Sequence, residues 1–156
     1  MNKLSGSYEL TPVVLPQYRF RLRSVDFNRS GGDFTIWFLE GILEKNPNYV
    51  DCLMYLGNAY TNRGRYEDGL KVDLKLAELK PDDPIIRYNL GCSYSLVCDL
   101  DAAVEALEVA ITLGYKDIKH LENDRDLDKL RGDERYRGLL DKIKGKGKTK
   151  KDGQNK

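Results

Sequence analysis

Histidine and tryptophan are almost missing from this chain, which has one of each, His120 and Trp37, in 156 residues. A lone histidine excludes most sites built on paired imidazoles. Cysteine is scarce too. Cys52, Cys92 and Cys98 are odd in number and never fall in a C-x-x-C spacing, which argues against a disulfide framework or a zinc site. They read instead as small apolar residues on or near helix cores. No run of about 18 apolar residues occurs, so no membrane-spanning helix is expected. Met1–Phe20 holds one early lysine, Lys3, and an apolar stretch, Pro12–Pro16, broken by two prolines. That is unlike a secretory signal, and the expected address is the cytoplasm. A Gly-rich phosphate loop, G-x-S-x-G and H-E-x-x-H are all missing, so neither enzymatic activity nor a cofactor is expected. His120 reads as a surface residue beside Leu121.

What is present is a soluble composition, 40% hydrophobic and 33% charged, with a net charge of +1 that is unevenly spread. Lys142–Lys156 carries +6, residues 1–30 carry +3, and residues 31–141 carry −8. An acidic body with basic ends argues against a general nucleic-acid binder, which wants a basic face. The acidic run Asp124, Asp126, Asp128, Asp133 and Glu134 invites a calcium reading. It lacks the EF-hand spacing, and helix capping explains it better.

An internal repeat organises the middle. Leu56-Gly57-Asn58-Ala59-Tyr60 recurs as Leu90-Gly91-Cys92-Ser93-Tyr94, at an offset of 34 residues. Tyr66-Glu67-Asp68-Gly69-Leu70 recurs as Leu100-Asp101-Ala102-Ala103-Val104 at the same offset, and Pro47 precedes Pro81 by 34. Both halves of each unit have helical spacing: Leu53, Leu56, Ala59 and Tyr60, then Leu70, Leu74 and Ala77. Gly64 is placed for a left-handed helix terminus, Asp82 or Asp83 for a cap before Pro84, and Asp99 for a cap before Leu100.

These units resemble tetratricopeptide repeats, on Leu53-x2-Leu56-Gly57-x2-Tyr60 with Pro81 and on Arg87-x2-Leu90-Gly91-x2-Tyr94 with Ala103 and Leu107. Asp73 stands where the family has an aromatic, Arg87 where it has Trp, and Gly114-Tyr115 where it has a closing proline. The resemblance implies an all-α, right-handed α-α superhelix. Its two full repeats, 50–83 and 84–117, lie within a helical domain at 33–141. A partial repeat ending at Pro47 precedes them, and a cap at 118–141 follows. The segment Asp126–Leu140 resembles the ending of many bacterial members. Gly57, Gly69, Gly91 and Ala103 let paired helices approach closely.

The resemblance also implies a groove lined by the first helix of each pair. Its positions here are Asp51, Met54, Tyr55, Asn58, Thr61 and Asn62, then Ile85, Tyr88, Asn89, Cys92, Ser95 and Leu96, with Lys119, Glu122 and Asn123 on a third helix. Asn with Tyr and Met suits a peptide ligand. The family's chaperone-binding subset grips a C-terminal carboxylate with two Asn and several cations. Asn58, Asn89 and Lys119 match it, but Met54 and Asn123 stand where cations are wanted.

The ends are less constrained. Tyr18-Arg19-Phe20-Arg21-Leu22-Arg23 alternates apolar and basic residues within an extended arm, 1–32. It reads as a cover for the first helix, as a dimer contact, or as a nucleic-acid contact. The Lys-rich tail 142–156 reads as too polar and glycine-rich to fold. The expected function is a protein–protein interaction module that binds a partner peptide in the groove. The alternatives are a self-assembling scaffold through an open face around Trp37, Phe38 and Ile42 and, more distantly, nucleic-acid association through the basic ends.

Overall fold

Helix positions follow the 34-residue period. A computed structural model describes residues 31–148, all in helices and turns, with no strand among them. The helices are α1 (Gly31–Leu43), α2 (Val50–Asn62), α3 (Tyr66–Leu79), α4 (Pro84–Leu96), α5 (Leu100–Thr112), α6 (Ile118–Asn123) and α7 (Glu134–Lys148). A 3-10 helix, Arg125–Leu130, separates the last two. The starts of α2, α4 and α6 are spaced by 34 residues, and so are those of α3, α5 and α7. The segment expected to be a cap is therefore a third unit in register, with its first helix cut short. The arm 1–30 and the tail end 149–156 lie outside the described residues.

The caps keep the same period. Asp83 accepts from the N–H of Ile85 at 2.8 Å, and Asp117, 34 positions on, accepts from the N–H of His120 at 2.9 Å. Asp99 accepts from Ala102 at 3.2 Å, and Asp133, again 34 on, accepts from Arg135 at 2.8 Å. Each satisfies a donor that a helix start leaves without an intrahelical partner. Within the acidic run Asp124 and Asp133 act as caps, and Asp128 pairs with Arg131. Gly64 ends α2 with φ +69°, as its placement suggested. Its counterpart after α4 is Cys98, also at φ +69°, the one described non-glycine residue in that region. Cys98 is exposed, unlike the buried Cys52 and Cys92, and so departs from the core position expected of it. Its neighbour Lys129 donates to the carbonyl of Leu96 at the end of α4.

From α1 to α5 each helix packs on the next, and the 3-10 helix packs on α4 and α5. The core falls into two clusters. One gathers Ile36, Leu53, Leu56, Val72, Leu76, Ile86 and Leu90; the other gathers Leu107, Leu121, Leu127, Leu130 and Tyr136, and Tyr94 packs on both. Glycines set the spacing inside the pairs. A Cβ on Gly91 would lie 2.8 Å from Leu107 and 3.3 Å from the carbonyl of Ala103, and one on Gly57 would lie 3.2 Å from Asp73 Oδ1.

The third unit carries Asp124-Arg125 where the first two carry Leu56-Gly57 and Leu90-Gly91. Without the small residue the close crossing is lost. The chain turns extended at Asp124 (φ −68°, ψ 124°) and resumes as the 3-10 helix. Tyr136 compensates on α7, where its buried hydroxyl donates to the carbonyl of Leu121 at 2.6 Å. Helix α7 runs on to Lys148, past the boundary expected at 141. Lys144 pairs with Glu122 of α6 at 2.5 Å, and Arg135 with Asp101 of α5 at 2.7 Å. Composition alone misread this stretch, because the turns before it supply a nucleus from which even a poor helical sequence propagates.

Two glycines in helices separate packing from propensity. Gly91→Ala is expected to destabilise the fold by about 1–3 kcal/mol through overpacking, although alanine is the better helix former. At Gly138 an added Cβ would meet nothing within 4 Å, so alanine there should gain about 0.5–1 kcal/mol. Urea unfolding midpoints of the two variants check both signs.

Candidate functional site

The lining of a concavity beside α4 comes from three parts of the repeat. Asn58 and Thr61 on α2 and Asn89 and Leu96 on α4 border it, Asp73 enters from α3, and His120, Asp124 and Asp126 close it from the third unit. Its volume is about 210 Å³. That is below the roughly 300–1,000 Å³ of small-molecule sites and suits a single side chain.

Asp73 is the unusual member. It lies across from Gly57 as Leu107 lies across from Gly91, so a carboxylate occupies the place of a core leucine. It is 8% exposed. Its Oδ2 accepts a hydrogen bond from the Ser93 hydroxyl on α4, while Oδ1 accepts none among the described residues. No cation among those residues pairs with it. Burial pushes its carboxyl up to about 6, against a partial lowering by Ser93.

Asp124 is placed by the break between α6 and the 3-10 helix. Its Oδ1 accepts from the N–H of Asp126 at 3.0 Å, and its Oδ2 accepts from the phenol of Tyr88. The Cys92 thiol lies 3.8 Å from the same oxygen, and His120 Nε2 lies 3.5 Å from it. Asp126 is raised above the ordinary carboxylate range, first by burial and then by the charges of Asp124 and Asp128. Burial also raises the Tyr88 phenol and the Cys92 thiol far above their usual values, which makes the thiol inert at neutral pH. The pocket is therefore a wall of three carboxylates and two asparagines, with no lysine or arginine in its lining.

The expected groove residues divide into three groups. Asn58 and Asn89 do meet at the pocket. Tyr55, 69% exposed, and Ile85, 55% exposed, are free apolar contacts on the same helices, and Asp51, Asn62 and Lys119 are exposed without lining it. Tyr88 and Cys92 line the pocket too, but as buried side chains of the core and not as open groove contacts. They are 4% and 7% exposed, because Asp124 and the leucines of the third unit pack over that stretch of α4, and the Tyr88 ring stacks on Tyr115. Ser95 is likewise fully buried, and Met54 is half-buried against the first core cluster. The match to a carboxylate grip fails on charge, since Lys119 is outside the lining and the acids inside it repel an anion. Asp73, Asp124 and His120 were missed as site residues. The loss of Leu-Gly at 124–125 was the available signal.

The raised Asp73 has a measurable cost. Its carboxyl binds a proton more tightly folded than unfolded. The favourable neutral form is complete below the unfolded value of 3.8, and its benefit is lost as pH rises toward about 6. Asp73→Asn keeps the volume and can still accept from Ser93. It should stabilise the protein by about 2–3 kcal/mol near pH 7.5, with the gain vanishing near pH 4. Chemical denaturation of both forms at the two pH values reads this directly.

No protein-family model matches the chain. A chloroplastic protein of Arabidopsis thaliana is 32% identical to it over 87 residues, 54% of this chain and 26% of that protein. The chain thus spans about a quarter of the length of this curated relative.

Proposed function

We propose that the chain is a tetratricopeptide-type interaction module that holds an extended segment of a partner protein along α2, α4 and α6. The observation that carries this reading is the grouping of exposed and hydrogen-bonding side chains on the first helices of the pairs. Tyr55 and Ile85 offer apolar area to solvent, and Asn58 and Asn89 border a pocket the size of one side chain. Asparagine amides can both donate to and accept from a peptide backbone, and exposed tyrosine is a frequent interface anchor. The 34-residue recurrence of helix starts, caps and close-approach glycines supports the tetratricopeptide architecture. It supplies the fold only; the ligand is argued from the site.

The cytoplasm expected from the sequence and a plastid, where the Arabidopsis protein's name places it, both accommodate such a module. No helix among the described residues is long and apolar enough to cross a membrane.

The test uses displayed random peptides selected against the full chain. Selected peptides should lose on the order of tenfold or more in affinity for a Tyr55→Ala/Asn58→Ala/Ile85→Ala/Asn89→Ala variant that keeps its circular dichroism. Tyr88 is left out, because truncating it would open the core. Peptides that bind wild type and variant equally would refute groove binding. A mass that rises with concentration, measured by sedimentation, would move self-assembly ahead.

A further inference from the structure

We propose that the pocket between α2, α3, α4 and the third unit receives the cationic side chain, lysine or arginine, of the bound partner segment. This deepens the interaction-module reading and rests on it. The pocket has the capacity of one side chain, not of a metabolite. Three carboxylates, Asp73, Asp124 and Asp126, line it with no lysine or arginine among its residues.

Asp73 is the decisive one. It is more than nine-tenths buried, it lacks any counter-charge among the described residues, and its Oδ1 is left without a donor there. A carboxylate in that position costs stability, because burial disfavours its charge. The matching position in the next unit is an ordinary buried leucine, Leu107. A buried acid kept in place of an available apolar residue is accounted for by a cation that completes it on binding. Asn58 and Asn89, at the rim, supply amides for the backbone on either side of that side chain. His120 sits beside Asp124 at 3.5 Å, which leaves Asp73 and Asp126 as wall carboxylates with no counter-charge among the described residues.

The helix turns next to Asn58 and Asn89, outside the pocket lining, fix what else the ligand must carry. Tyr55 and Ile85 stand exposed on the same two helices, so the segment that brings the cation should place apolar residues to one side of it. An acidic peptide is excluded by the same wall that favours the cation.

The experiment measures binding of a positional-scanning library of capped heptapeptides, each carrying lysine, arginine, glutamine, norleucine or glutamate at one fixed position, to the full chain. The expected result is a single register at which lysine or arginine binds at least tenfold more tightly than glutamine and norleucine. On Asp73→Asn, which is expected to fold more stably than wild type, that preference should fall below about twofold while the apolar contacts persist. Peptides that bind in a Tyr55- and Ile85-dependent way with no preference for a cation would overturn this inference and leave the interaction module standing. If no peptide binds, the module reading falls and this inference falls with it. Displacement of the bound lysine peptide by millimolar n-butylammonium as effectively as by a second lysine peptide would make a free amine the occupant and overturn the assignment to a partner side chain.

Discussion

The structure depends on how closely two helices can approach. In each pair a glycine on the first helix faces a residue on the second, Gly57 against Asp73 and Gly91 against Leu107, with no room for a methyl group at Gly91. Helix axes that near to each other bring the whole length of both apolar stripes into contact, and burial along those stripes outweighs the conformational cost of glycine in a helix. Where the third unit has Arg125 at the same register, the approach fails and its first helix breaks after Asn123.

That break makes the pocket. An unbroken α6 would hold residue 124 as one more helical position. The extended backbone at Asp124 instead lets its carboxylate reach Tyr88 of α4, cap the 3-10 helix through Asp126 and meet His120. Together with Asp73, it turns a surface that the repeat pattern would leave mixed into one of a single charge. The polar wall thus rests on two differences between units, Asp124-Arg125 in place of Leu-Gly and Asp73 in place of leucine, at positions that elsewhere build the core.

Much of this was legible from the residues. Period, capping aspartates, the turn glycine Gly64 and the helix pairs are local chemistry repeated at a fixed offset, and each could be read without knowing what the helices touch. What escaped was long-range. Tyr88 and Cys92 occupy groove positions by register, yet they are covered because the third unit folds back onto α4. Asp73 was visible as a departure from the pattern, but its chemistry depends on its burial and on Ser93 in the next helix. The extension of α7 past 141 escaped because glycine and lysine say little about a helix that neighbouring turns have already started.

Contacts in this chain run mostly between consecutive helices, an arrangement in which ends can fray without the middle knowing. The Tyr88–Asp124 bond is an exception, joining residues 36 apart. Because the pocket uses that bond and the acids beside it, it exists only while the third unit is docked. Anything held there is clamped in part by the third unit. Occupancy of the pocket and docking of the third unit are therefore thermodynamically linked, and a bound partner would slow hydrogen exchange in α6 and α7.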